Sequence, residues 1–203
     1  MKAGQRFARL VTDAVLRRPA LWRLFRGPLR AQFDRLAPRW DELRSPDAFA
    51  PVEVGLDSLP AAPRRVLDVG TGTGAVAQIV ARRFPDAEVV GVDIAEKMLD
   101  AAKRKLPPEL AQRVRFEVAD ATRLPFAAGE FDLVTLGNMI PFFDELARVV
   151  APGGHVLFSF SAGPETPIWV PPERLERELA ARGFAEFASF SAANGTALVA
   201  RKR

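Results

Sequence analysis

The sequence predicts an α/β protein: a mostly parallel sheet with helices on both faces, an antiparallel C-terminal hairpin and a helical N-terminal extension. Three observations predict it. From Arg64 onward, short apolar strand patterns alternate with helical ones. A glycine-rich turn, Gly70-Thr71-Gly72-Thr73-Gly74, follows the first strand pattern and opens a helix. Asn194-Gly195 separates the last two strand patterns, the signal of a hairpin.

Taken in order, residues 1–45 read as helical. Phe7, Leu10, Val11, Ala14 and Val15 fall at helical spacing, with Arg6, Arg9 and Arg17 among the positions between them. Pro19 marks a first break and Gly27-Pro28 a second, after which Leu29, Phe33 and Leu36 resume the pattern. Pro46, Pro51, Gly55, Pro60 and Pro63 make the next stretch a loop with at most one short helix. A boundary is therefore expected at residue 62, between an extension (1–62) and a core (63–203).

Within the core, Val66-Leu67-Asp68-Val69 is the first strand and Ala75–Arg83 the first helix, closed by Phe84-Pro85. Glu88–Val92, Val114–Ala119, Phe131–Leu136 and His155–Phe160 are the next four strands. Helices are expected at Ala95–Leu106, before Pro107-Pro108, and at about Phe142–Val150, before Pro152-Gly153-Gly154. Repeated βα units of this kind require parallel pairing with crossover helices. A last helix over Pro172–Arg182 precedes strands near Phe184–Phe190 and Thr196–Arg201.

Composition removes several chemistries. At 203 residues and 48% hydrophobic side chains, one sizeable core is expected. No cysteine is present, which excludes disulfides, thiolate nucleophiles and cysteine metal sites, and suits a reducing cytoplasm. Tyrosine is absent and His155 is the only histidine, so neither phenol acid chemistry nor a histidine-rich metal site is available, and no metal is expected. No apolar run approaches a membrane span and the start lacks a signal-peptide core; a cytoplasmic location is expected. Charge is uneven: residues 1–45 carry eleven Arg/Lys against four acids, while the remainder is mildly acidic.

The glycine turn allows close backbone approach to a ligand, and the helix behind it offers unpaired N–H groups. Gly70, Gly72 and Ala75 also satisfy the dinucleotide pattern G-x-G-x-x-G/A, so the loop alone fits NAD, or a tight turn with no ligand. The surroundings discriminate. Asp93-Ile94 ends the second strand, 19 residues past Gly74, where a carboxylate can accept both ribose hydroxyls of an adenosyl group; it also reads as a helix cap. Asp120-Ala121 follows the third strand, where an acceptor can meet an adenine amino group; a turn aspartate is the alternative. Asp68, two residues before Gly70, would be unhelpful beside pyrophosphate but favourable near a sulfonium and an α-amino group. That sign argument prefers S-adenosylmethionine to NAD.

Five pieces, VLDVGTGTG (66–74), VVGVDIAEKML (89–99), VADATRLPF (118–126), FDLV (131–134) and ELARVVAPGGHVL (145–157), resemble in register the class I S-adenosylmethionine-dependent methyltransferase family. The ubiquinone/menaquinone-biosynthesis C-methyltransferase branch is the most similar part of it. The resemblance implies a Rossmann-like, seven-stranded sheet, with cofactor contacts from Gly70, Thr73, Asp93, Met98, Asp120, Ala121 and Gly137. Met98 would pack on the adenine, although methionine at helical spacing also reads as core. Phe33–Asp41 is similar to a segment of that branch in which an aromatic covers the cofactor; here the position is Trp40, for which a helix anchor is the alternative.

Methyl transfer from a sulfonium is an in-line displacement in which the protein mainly aligns reactants and excludes water, so no catalytic side chain is nominated. His155 begins a strand after Pro-Gly-Gly and reads as solvent-facing. Asn138 follows the fourth strand, but Met139-Ile140 replaces the Pro-Pro-aromatic run of amide and base N-methyltransferases. A small apolar or aromatic acceptor is expected, in a pocket built by residues 1–45 and 161–172 with Phe25, Phe33, Trp40 and Trp169. The basic N-terminal region reads as a solvated face, a peripheral contact with anionic lipid, or an RNA contact that would make this an RNA methyltransferase. A non-catalytic S-adenosylmethionine-binding protein is the other alternative, against which the intact Gly72, Gly74 and Asp93 argue. Nothing in the sequence speaks to oligomeric state.

Overall fold

The computed structural model describes residues 3–203; Lys2, one of the basic residues counted above, lies outside them. Seven strands form one sheet: β1 (Arg65–Val69), β2 (Glu88–Asp93), β3 (Val114–Val118), β4 (Phe131–Gly137), β5 (Val150–Phe160), β6 (Phe184–Ala192) and β7 (Gly195–Lys202). Their order is β3-β2-β1-β4-β5-β7-β6. The first five run parallel, and β7 lies antiparallel to both β5 and β6. This is the Rossmann-like architecture with an antiparallel ending that the sequence predicts.

Alternation along the strands sorts side chains to two cores. Val66, Val89 and Leu133 face one, with Val52 and Leu56 of α3 (Ala50–Asp57), Val80 of α4 (Ala75–Arg83) and Leu99 of α5 (Glu96–Lys105). Leu67, Val69, Val90 and Val134 face the other, with Val11 and Val15 of α1 (Ala3–Arg17) and Trp22 of α2 (Trp22–Leu36). Leu146 of α6 (Phe143–Val149) and Leu175 of α7 (Pro172–Ala180) complete that side. Both faces of β1 are covered, so its last four residues are buried, Asp68 among them. Full burial of Leu67 or Phe131 contributes about 1.5–3 kcal/mol each.

Three boundaries differ from expectation. Helix α2 runs through Pro28 instead of stopping at Gly27-Pro28. Proline there deprives the Leu24 carbonyl of its N–H partner, but Leu24 is 68% exposed, so water can serve instead. Strand β5 begins at Val150, which pairs with Phe131; the ladder shifts register and resumes at His155↔Leu133, so Pro152-Gly153-Gly154 is a bulge within the strand. In the hairpin, Ala192 pairs with Gly195, which places Ala193-Asn194 in the turn, with Ala193 at φ 49°. Gly195 is glycine for another reason: an added Cβ would strike Pro51 and lie 2.6 Å from the Phe160 carbonyl oxygen.

Candidate functional site at the switch point of the sheet

The strand order reverses between β1 and β4, so the crevice beyond their carboxyl ends is where such a sheet admits ligands. The glycine turn occupies that position. The N–H groups of Gly70 and Thr71 both donate to the Val92 carbonyl (2.8 and 2.9 Å), which pins the turn against β2. Gly72 has φ 55° and directs its N–H onto Asp93 Oδ2 at 2.9 Å. Gly74, at φ 80°, starts α4 from the left-handed region. Met139 lies over Gly70, its Sδ 2.8 Å from where a Cβ would be.

Asp68 is 1% exposed beneath the turn. It accepts hydrogen bonds from Thr71 Oγ1 (2.6 Å) and Thr135 Oγ1 (2.8 Å). Burial pushes its pKa up to about 6, against the pull of the two threonines, and the charge of Asp93 pushes the same way. A cation placed above the turn would lower it again. Asp68, buried beneath the turn, therefore acts on a cation above it through its charge.

Asp93 has both oxygens anchored: Oδ2 by Gly72 and Oδ1 by the Ala95 N–H at 2.9 Å. Burial raises its pKa, opposed by these backbone donors. A carboxylate oxygen accepts twice, so each retains a lone pair for a hydroxyl. The cap and the ligand readings of Asp93 are thus compatible.

Beside Asp93 opens a cavity of about 350 Å³, lined by Ile94, Val118, Ala119 and Asp120 and walled on the outside by Arg26, Gly27 and Arg30 of α2. The 54% exposure of Val118, an apolar strand residue, is exposure into this region. Asp120 is held from several directions. Its Oδ1 accepts from Trp22 Nε1 (2.9 Å), the Thr122 N–H (3.0 Å) and Thr122 Oγ1 (2.8 Å), and its Oδ2 from Arg26 (3.1 Å). Burial alone would raise its pKa, but Thr122, Arg26 and Trp22 together hold it below the usual carboxylate range. Ala121 is buried in the same core as Trp22. Met98 does not line the cavity; it is buried with Ala37 and Ala95 beneath Phe33 and Trp40.

The cover over the turn comes from the segment Ala37–Leu43 and its neighbours. Asp41 Oδ1 accepts from Thr73 Oγ1 (2.6 Å) and Arg44 (3.1 Å), and Oδ2 from Lys105. Although burial opposes it, these donors hold the Asp41 carboxyl below its ordinary value. The Asp34 carboxylate accepts the Lys97 N–H at 3.0 Å, tying α2 to α5. Phe33 and Trp40 pack edge-on at 5.5 Å. The four aromatics expected in one acceptor pocket are split: Phe25 and Trp169 pack against one core, Phe33 and Trp40 against another.

Of the remaining residues, Gly137 ends β4 with ordinary room for a Cβ, 3.5 Å from Val76, so packing alone does not demand glycine. Asn138, at φ 51°, is clipped to Ser161: its Nδ2 donates to Ser161 Oγ (2.9 Å) and its Oδ1 accepts the Ser161 N–H (3.0 Å). His155 pairs with Leu133 where the β5 ladder resumes after the bulge, away from the turn at the carboxyl end of β1. Among the described residues no group of three or more His, Asp or Glu could hold a metal ion. Sequence reasoning missed Trp22, Arg26 and Arg44. They lie 94 or more residues from Asp120 or 29 from Thr73, and no local spacing announces such pairings.

A glycine turn after β1, a carboxylate beneath it and an anchored acid at the end of β2 make this crevice the candidate site. Residues 66–154 match the family model described as a methyltransferase domain. A demethylmenaquinone methyltransferase from Thermus thermophilus is 40% identical over 140 residues, 62% of this chain and 62% of that one. A malonyl-[acyl-carrier protein] O-methyltransferase from Halorhodospira halophila is 36% identical over 151 residues, 68% of this chain and 49% of the other. The chain thus spans less than two thirds of the length of either curated relative. The crystal structure of a SAM dependent methyltransferase from Aquifex aeolicus superposes with a TM-score of 0.63 at 17% identity, over 81% of this chain and 97% of that one, a likeness of fold. Over residues 66–154 the chain is thus similar to methyltransferases, among them those of the ubiquinone/menaquinone-biosynthesis branch.

Proposed function

We propose that this chain binds S-adenosylmethionine and transfers its methyl group to a small apolar or aromatic acceptor. Asp93 carries the reading: it is fixed by the glycine turn on one side and the start of α5 on the other, beside a cavity of about 350 Å³ that suits an adenine ring. Asp68, Gly70, Thr71, Gly72, Thr73 and Gly74 then face the amino-acid tail and sulfonium. Asp93 holds the ribose, and Ile94, Asp120 and Ala121 border the adenine. Gly137 leaves the end of β4 clear, and Trp40, supported by Met98, closes the cover. Residues 1–62 form the cover and acceptor wall, and residues 63–203 the cofactor-binding core.

The site fits that group. A buried negative charge lies under the position a sulfonium and an ammonium would take, where pyrophosphate would be repelled. When bound, the cofactor supplies a methyl already activated on sulfur, so the protein has to align and exclude water. Asp93 sets the rotation of the ribose, the cover of Phe33 and Trp40 keeps water from the turn, and Met139, Phe25 and Trp169 offer an apolar wall to the acceptor. Calorimetric titration with S-adenosylhomocysteine and, separately, NAD tests the reading. The homocysteine form is expected to bind and NAD not; preference for NAD would overturn it.

A second reading rests on α1 and α2. Phe7 (54%), Leu10 (68%) and Leu24 (68%) are exposed, alongside Arg6, Arg17, Arg18 and Arg23, which make no ion pair among the described residues. Apolar side chains between solvent-facing arginines suit an anionic lipid surface, and no helix among the described residues is long and apolar enough to cross a membrane. We propose peripheral contact from the cytoplasmic side, with delivery of an apolar acceptor. Co-sedimentation with anionic vesicles, absent with neutral ones and weakened by Leu10→Glu, is the expected result. Binding to RNA but not vesicles would favour RNA methylation instead.

A further inference from the structure

The sheet ends in two edge strands of different character, β3 and β6. β3 is five residues long and carries an ion pair along its edge, Arg115 to Glu117 at 2.7 Å. Charges of that kind keep an edge from pairing with another chain. β6 is nine residues long, and only its first half is guarded. There the register slips between Ala185 and Ala188, Glu186 sits at φ 53°, and its carboxylate accepts from Arg201 at 2.9 Å. The second half, Ala188–Ala192, is regular, has no charged residue and no proline, and has no strand on its outer side among the described residues.

The hairpin decides which backbone groups of that half face outward. Ala192 pairs with Gly195 across a two-residue turn, so this pair exchanges hydrogen bonds, and bonded and non-bonded pairs alternate from there. Phe190 and Ala188 therefore bond inward to Ala197 and Val199, while Ser189 and Ser191 direct their N–H and C=O groups out of the edge. Both serines are exposed. Helix α7 does not close over them: a cavity of about 130 Å³ is lined by Ser189, Ser191, Pro172 and Leu175.

Ala188-Ser189-Phe190-Ser191-Ala192 reads the same in both directions. In an interior strand that symmetry would have no consequence. At an edge it makes the segment complementary to a copy of itself run antiparallel. With Phe190 opposite Phe190 on a two-fold axis, Ser189 of each copy meets Ser191 of the other. The outward groups fall in the same register. Each serine pair exchanges two backbone hydrogen bonds, and the Phe190 pair between them is a non-bonded one, in which side chains approach most closely. Phe190 packs on the core of Val52 and Leu56, so the ring pair carries that core across the axis.

We propose that β6 pairs with β6 of a second copy in this register, joining two seven-stranded sheets into one continuous sheet. The symmetry of the run names the occupant, because a copy of this chain matches it at every position without bringing a charge to the edge. β6 stands three strands from β4 in the sheet, and the pairing does not rest on the cofactor reading.

Sedimentation velocity on the full chain tests it. A reversible rise from 22.2 kDa to twice that mass is expected as concentration increases through the micromolar range. A chain that stayed monomeric up to millimolar concentration would overturn the proposal. Ser189→Pro removes one outward N–H from each copy and no bond to β7, so association should weaken about tenfold or more with little change in melting temperature. Ser191→Lys keeps every backbone donor and brings two ammonium groups together near the axis; it should weaken association too, less so at high salt. The absence of cysteine makes the register readable by crosslinking. Phe190→Cys sets two thiols in a non-bonded pair with Cα atoms about 4.5 Å apart, within disulfide range, and should give a covalent dimer with oxidised glutathione. Arg115→Cys on β3 should not. Association unchanged in both serine variants, or a dimer without the crosslink at position 190, would place the contact on another face and overturn the pairing.

Discussion

Asp93→Ala is expected to lower S-adenosylhomocysteine affinity by about two orders of magnitude or more. Two ribose hydroxyls would lose a charged acceptor, and each such hydrogen bond is worth about 1.5–3 kcal/mol. A second loss adds to the first. The carboxylate also orders the turn through Gly72 and caps α5 through Ala95, and in the alanine variant both N–H groups are left without it. Asparagine does not rescue, because its amide group would set a donor against one of the two backbone donors. Calorimetry checks the affinity, and thermal melting confirms that the variant is folded at the titration temperature. A folded Asp93→Ala protein binding with wild-type affinity would place the ribose elsewhere.

Gly74→Ala carries the largest expected effect on stability. The residue sits at φ 80°, where a side chain costs about 1–2 kcal/mol. The new Cβ would also lie 2.6 Å from Phe116 Cζ, 2.9 Å from Phe116 Cε1 and 3.0 Å from Ala102 Cβ. Phe116 and Ala102 are both buried, so neither can swing into solvent, and crowding adds about 1–3 kcal/mol. A total loss of about 2–5 kcal/mol is expected, read as a lower urea midpoint with an unchanged slope. Gly27→Ala is the contrast. Nothing lies within 4 Å of its Cβ position and it sits inside α2, so a gain of up to about 1 kcal/mol is expected there. If Gly74→Ala were as benign as Gly27→Ala, close packing of the turn on Phe116 would be refuted.

The parallel core was legible because β1, β2 and β4 are short, largely apolar and end at or next to a breaker. Val66–Val69 before Gly70, and Glu88–Val92 before Asp93, needed only local pattern to place them. What misled was punctuation whose consequence is decided by solvent or by a neighbour. Pro28 stays within a helix because the carbonyl it frees lies beside exposed Leu24. Gly195 reads as a turn residue, yet packing against Pro51 and Phe160 requires it, and the turn forms one residue earlier. Of the candidate site residues, Asp68, the glycine turn, Asp93 and Asp120 could be named from the sequence because they fall at or just past the ends of successive strands. The partners of Asp120 and Thr73 were not, since Trp22, Arg26 and Asp41 reach them across tertiary contacts with no sequence period.

The place of β7 has a consequence for how the chain is made. It is the last strand in the sequence but an interior one in the sheet, between β5 and β6. During synthesis β1–β5 can assemble while the hairpin is still unmade, and β5 then presents a bare edge with unpaired N–H and C=O groups. That edge persists until residues 195–202 emerge and pair with it. A nascent chain paused before Gly195 is therefore the species most exposed to wrong strand pairing, and the one for which a chaperone would matter most.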